Sequence, residues 1–197
     1  MRLGRTDKLG NESDRPQFDY DSFEKDLYEG VCRKLKERSD KEDVYACSID
    51  YWPEFTTCIS LMMNTYSNLK EAPAKDKAEL MQYKCCEEEW GNWDDFEELS
   101  EELVRHYKAM EKWAEGDTVE DMLRWDDIHD RHSRAIIDLC VRVLQKVRQS
   151  PEYALYPKLN LNVHVREFFT AEEEIEIYKK LNDEEAVKEY SIFLFGE

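Results

Sequence analysis

The runs Val44–Tyr51 (VYACSIDY) and Phe55–Met63 (FTTCISLMM) decide the fold. Both are rich in β-branched and aromatic residues, which fit a pleated surface better than a helix. Trp52-Pro53-Glu54 lies between them, and two such runs joined by so short a link predict a β-hairpin. In the first run Tyr45, Cys47 and Ile49 alternate against Val44, Ala46 and Ser48, so both faces are fairly apolar. Such a sheet is expected to be covered on at least one side and partly on the other.

Working outward, Phe18 to about Glu37 reads as a helix, with Phe23, Leu27, Val31 and Leu35 at four-residue steps and Asp19 or Asp21 able to cap its start. Asn64 to Lys77 is irregular, and Ala78 to Cys86 suits either helix or strand. Phe96, Leu99, Leu103, Tyr107 and Met110 mark a helix from about Asp94 to Ala114, ended by Gly116-Asp117-Thr118. A second long helix is expected from about Asp127 to Arg148, because Ile128, Ile136, Leu139, Cys140, Val143 and Val147 share one face. Ser150-Pro151 stops it.

Leu159–Phe168 alternates Leu159, Leu161, Val163 and Val165 with Asn160, Asn162, His164 and Arg166. That pattern predicts a half-buried strand with a solvated polar face. Two short closing helices follow, over Glu172–Leu181 and Glu184–Phe193. The fold class is α+β: a small, mostly antiparallel sheet, made of the hairpin plus a late strand, packed against several helices. Residues 1–16 are polar and carry about one net positive charge, so they read as a flexible tail ahead of a single domain over 17–197.

The chain has 28 Lys and Arg against 46 Asp and Glu, a net charge of −18. Such a chain repels nucleic-acid phosphates and anionic lipid, which argues against nucleic acid and membrane as partners and for a basic protein. Acidity that serves solubility alone is the competing reading. No stretch is long and apolar enough for a membrane helix, and Met1–Gln17 lacks the apolar core of a secretory signal. The six cysteines form no CxxC pair, and Cys32, Cys47, Cys58 and Cys140 fall at apolar-periodic positions. Reduced thiols in a cytoplasmic setting are expected.

Signals for chemistry are sparse. GxSxG, GxxxxGK[ST] and GxGxxG are absent, and six glycines leave little material for phosphate-cradling loops. Asp126-Asp127-Ile128-His129-Asp130-Arg131-His132 is the one metal-like cluster. Its histidines stand at i, i+3 on a helix, whereas the two-histidine zinc helix uses i, i+4 with an intervening Glu. No cofactor, catalytic residue or metal ligand is assigned, and a metal-dependent enzyme centred on His129 and His132 stands as the alternative.

The acidic residues are better organised. Glu87–Glu102 holds nine carboxylates and no Lys or Arg, and Glu115–Asp130 holds seven against Arg124 alone. Together these stretches carry −15 of the net −18, and Trp90, Trp93, Trp113 and Trp125 lie in or beside them. Aromatic rings among carboxylates suit the capture of Lys and Arg side chains. The spacing of Trp113 from Met110 fits core, whereas Trp90 and Trp93, around Gly91-Asn92, suit either core or surface. The candidate partner-binding residues are Glu87, Glu88, Glu89, Trp90, Trp93, Asp94, Asp95, Glu97, Glu98, Glu101, Glu102, Asp117, Glu120, Asp121 and Trp125.

The motif order adds a resemblance. An amphipathic helix leads into VYACSIDY, a second strand ends in Asn64-Thr65, and Tyr83-Lys84 runs into EEEW at Glu87–Trp90. LNVHVREF then precedes a helix ending in Leu181-Asn182. Over about residues 18–193 this resembles the bacterial family known as domain of unknown function 4303, although the acidic stretch is longer here and Cys85-Cys86 stands apart from its pattern. The family brings no catalytic residues to carry over. The resemblance implies a bacterial cytoplasmic protein of the immunity type, which neutralises a toxin by covering a basic active-site surface. A regulatory or structural adaptor remains open beside that reading.

Overall fold

The computed structural model describes residues 14–53, 58–114, 119–166 and 168–196. The elements run α1 (Tyr20–Glu37), β1 (Val44–Trp52), β2 (Cys58–Thr65), α2 (Tyr66–Glu71), α3 (Lys77–Cys85), a 3-10 turn (Glu87–Glu89), β3 (Asn92–Asp95), α4 (Glu97–Ala114), α5 (Val119–Val147), a 3-10 turn (Tyr153–Leu155), β4 (Asn160–His164), α6 (Ala171–Leu181) and α7 (Glu184–Phe195). The architecture is the expected α+β, with a mostly antiparallel sheet ordered β3-β2-β1-β4. The late strand β4 lies parallel to β1, with Ser48 beside Asn162 and Asp50 beside His164.

Several boundaries move. The stretch Asn64–Lys77 contains α2, and the ambiguous Ala78–Cys86 is the helix α3. Asn92–Asp95 is a strand where the α4 helix was expected to begin, and α5 starts at Val119, eight residues ahead of the expected Asp127. The expected first residues of β2 fall outside the described residues. So does most of the 1–16 tail, although Asp14 and Arg15 are described, with Arg15 5.9 Å from the Trp113 ring.

One face of the sheet carries the main core. Cys47, Ile49, Tyr51, Ile59, Leu61 and Val163 pack against the apolar stripes of α1, α4 and α5, as the spacing of Phe23, Leu27, Val31 and Leu35 requires. Each such side chain contributes about 2 kcal/mol on burial. Asp19 caps α1 by accepting from the Ser22 N–H at 3.0 Å. Gly30 allows α1 to approach α4: an added Cβ would sit 2.9 Å from the Phe96 ring. Tyr51 and Tyr107 share a hydroxyl contact of 2.5 Å, and Tyr107 meets Ser133 Oγ at 3.0 Å, which ties β1 to both long helices.

The other face is covered too. Trp90 packs on Tyr45, Ala46 and Met62, and α3, α6 and α7 form a satellite cluster around Tyr178 and Tyr190. Asn162 is therefore buried, which corrects the expectation that the polar face of β4 is solvated. All six cysteines are free. Among the described residues no helix is long and apolar enough to cross a membrane.

The β4 edge is capped at Leu161 by one side chain. Asn182 accepts from the Leu161 N–H at 2.8 Å and donates to the Leu161 carbonyl at 2.7 Å, so its amide takes the place of a neighbouring strand. Asn182→Ala is expected to destabilise the chain by about 1–3 kcal/mol, because both backbone groups lose their partner. Urea denaturation checks it; a change under about 0.5 kcal/mol would refute the capping role.

Candidate binding surface

Starting from β3, period-2 alternation sorts the acidic stretch onto two faces. Trp93 and Asp95 stand opposite Met62 and Ser60, and Asn92 and Asp94 stand opposite Met63 and Leu61. Trp93 is 53% exposed, and its indole N–H donates to the Trp90 carbonyl at 2.7 Å, which fixes the ring. Asp95, Glu97, Glu98 and Glu101 are exposed, and Asp94 and Glu102 half-buried. Asp94 is bound by Lys34 at 3.1 Å and Glu101 by Arg105 at 3.6 Å, whereas Asp95, Glu97 and Glu98 make no ion pair among the described residues. These carboxylates continue onto α1 across a groove that Asp26 and Glu29 also line. Burial first, and then the neighbouring charges of Asp26 and Asp19, hold the Glu102 carboxyl above its ordinary range despite Arg105. Arg33, Lys34 and Arg105 also line the groove, but its carboxylates outnumber them and leave an excess of negative charge.

Not every predicted residue lies there. Glu87 and Trp90 are buried, at 3% and 5% exposure, and so lie beneath the surface instead of on it. Glu88 is exposed and paired with Arg166 at 3.2 Å; Glu89 is exposed. Asp117 and the side chain of Glu120 fall outside the described residues, and Asp121 and Trp125 are half-buried. At a rise of 1.5 Å per residue α4 is about 27 Å long, so the start of α5 lies beyond the end of α4 remote from Glu97. Asp121 and Trp125 therefore stand apart from the carboxylates of β3 and the first turns of α4. Sequence reading missed the most exposed apolar side chains at the start of α5, Val119, Met122 and Leu123.

Glu87 belongs to a polar layer on the covered side of the sheet. It accepts from Asn162 Nδ2 at 2.7 Å; that amide nitrogen also reaches the Tyr190 hydroxyl at 3.2 Å, and Tyr190 donates to Glu174. One row further, Asp50 binds His164 Nδ1 at 2.7 Å and the Trp52 indole N–H at 2.7 Å. Burial pushes the Glu87 carboxyl up to about 7, against the opposing pull of His164 and Asn162. Burial alone would depress the His164 imidazole, but the Asp50 hydrogen bond, with Glu87 and Glu174 nearby, raises it. The sequence held one signal of this layer: Asp50 inside an otherwise apolar strand.

A family model described as Domain of unknown function (DUF4303) matches residues 26–183. The chain belongs to the DUF4303 family. The matched stretch runs from α1 to the end of α6 and includes all four strands. No curated protein and no solved structure matches the chain.

In the DUF4303 chain the candidate nucleophile Ser60 is separated from the imidazole of His164. Across the sheet the order is Asp95, Ser60, Asp50, His164, so Ser60 and His164 flank Asp50 on opposite sides, about 10 Å apart by strand spacing. A serine nucleophile needs its base within hydrogen-bond reach. The Cys58 thiol is pushed up to about 11 by burial and by Asp50 and Asp95, which keeps it protonated near neutral pH. The two histidines of the alternative reading each meet a protein group. His132 is buried with Nδ1 on the Tyr20 hydroxyl at 2.6 Å, His129 Nε2 meets the Pro53 carbonyl at 2.5 Å, and burial lowers His132 to about 3. No group of three or more His, Cys, Asp or Glu is placed to hold a metal ion among the described residues.

Glu87 makes stability depend on pH. Below about 4.5 it is protonated both folded and unfolded; between about 4.5 and about 7 only the unfolded chain releases the proton. Stability therefore falls as pH rises through that window, and the raised His164 acts in the same direction. Glu87→Gln is expected to leave Tm nearly unchanged near pH 4.5 and to stabilise the chain by on the order of 1–3 kcal/mol at pH 8. Equal effects at both pH values in thermal melts would refute the assignment.

Proposed function

We propose that this DUF4303 chain is a non-enzymatic binding protein whose acidic β3–α4 face covers a basic surface on a protein partner, most concretely as an immunity protein over the active site of a toxin. One observation carries the reading: Trp93 is exposed, fixed by its bond to the Trp90 carbonyl, and close in sequence to Asp95, Glu97 and Glu98, which make no ion pair among the described residues. A held indole costs little further entropy on binding and offers its face to Lys or Arg. The carboxylates draw a basic partner in and set its orientation. The net charge of −18 supports the same choice against nucleic acid and anionic membrane. The setting belongs to the proposal: the cytoplasm of a bacterium, where the free cysteines would stay reduced.

The test screens the products of neighbouring genes for a basic, secreted protein that binds the chain, and measures its affinity from about 50 to about 300 mM salt. Wild-type affinity is expected to fall with salt. Reversing Glu97, Glu98, Glu101 and Glu102 to Lys is expected to weaken binding at least about a hundredfold at low salt and to flatten the salt response. Trp93→Ala is expected to cost about tenfold with the salt response retained. Affinity within about twofold of wild type for the four-fold reversal would overturn the reading.

A further inference from the structure

The two edges of the sheet are treated differently. The β4 edge is capped by Asn182, which takes up both backbone groups of Leu161. Among the described residues no hydrogen bond of that kind covers the outer edge of β3. Its inner edge is fixed by the register. The Phe96 N–H donates to the Ile59 carbonyl at 3.1 Å, so Phe96 and Ile59 form a hydrogen-bonded pair just past Asp95 and Ser60. Hydrogen-bonded and non-hydrogen-bonded pairs alternate in an antiparallel ladder. Asp94 and Asn92 therefore bond inward to Leu61 and Met63, and the N–H and C=O groups of Trp93 and Asp95 point outward.

The residues that present a free backbone also carry the exposed indole and the exposed, unpaired carboxylate. From the juxtaposition of these four outward backbone groups with the Trp93 indole and the Asp95 carboxylate, we infer that the β3 edge is a strand-addition site for an extended, basic segment of a partner protein. This rests on the acidic-face reading above and adds its mode of engagement. An incoming strand bonds Trp93 and Asp95 through its main chain. Its side chains on their face then stand about 5 Å from them, so lysines or arginines at alternate positions meet the indole and the carboxylate in turn. Charge selects the occupant. Carboxylates along an edge repel an acidic strand, including the edge of a second copy of a chain of net charge −18, and favour a cationic one.

The probe is a synthetic peptide of four Thr-Lys repeats, titrated to millimolar concentration into isotope-labelled full-length protein. The Trp93 and Asp95 amide signals are expected to shift and to gain about tenfold protection from hydrogen exchange. The same peptide N-methylated at every residue is expected to bind at least about tenfold more weakly, since it has no main-chain donors. In the protein, Asp95→Pro removes both the carboxylate and an outward N–H and is expected to lose the peptide, whereas Asp95→Ala removes the carboxylate alone and retains measurable binding. Equal binding of parent and N-methylated peptides would overturn strand addition while leaving the acidic-face reading in place. Equal binding of a Thr-Glu repeat would overturn that reading as well. Absence of change at Trp93 and Asp95 would remove the edge from the account, and shifts that follow protein concentration without peptide would assign it to a second copy and overturn the basic occupant.

Discussion

The hydrogen bond between Glu87 and Asn162 joins the 3-10 turn to the sheet at 2.7 Å. It takes the first carboxylate of the acidic run out of solvent and fixes the chain that follows. Trp90 is then laid over Ala46 and Met62, its carbonyl receives the Trp93 indole, and β3 pairs with β2 in a single register. Without that anchor the segment from Glu87 to Asp95 would be an acidic loop with free tryptophans. With it, one tryptophan is core and the other is a fixed surface group. Burying a carboxylate costs several kcal/mol if it stays ionised, and a folded-state value near 7 reduces that cost by keeping the proton.

The same constraint gives the acidic surface its form. Carboxylates on one side of β3 and along the first turns of α4 have few cations of their own chain within reach, while Lys34, Arg105 and Arg166 neutralise Asp94, Glu101 and Glu88. Among the described residues Asp95, Glu97 and Glu98 are left without an ion pair, a patch much smaller than the sequence run. Exposed ion pairs contribute little to stability. The fold gains little from these charges; under the proposed function their role is to draw in a basic partner.

Much of the fold was legible. The hairpin followed from the β-branched runs, α1 and the second half of α5 from their apolar stripes, and α6 and α7 from the closing pattern after Thr170. The start of α5 was not, because Val119, Met122 and Leu123 are exposed and form no buried stripe for periodicity to detect. Nor was β3: Asn-Trp-Asp-Asp has the composition of a helix start, and only pairing with β2 makes it a strand. The buried polar layer was hidden because its partners are far apart in sequence, 75 residues for Glu87 and Asn162 and 114 for Asp50 and His164. An alternating strand pattern shows which residues share a face and leaves open whether another element covers it. For the candidate surface, charge density pointed to β3 and α4, but composition could not separate the buried Glu87 and Trp90 from the exposed Glu89 and Trp93.

The most direct test is a carboxyl-carbon NMR titration of Glu87 in the intact chain. A midpoint near 7 is the result the account predicts, because it reports a carboxyl held inside against Asn162 with the turn docked on the sheet. A midpoint at the ordinary value of about 4.5 would place Glu87 in solvent and contradict the arrangement that positions Trp93 and the edge of β3.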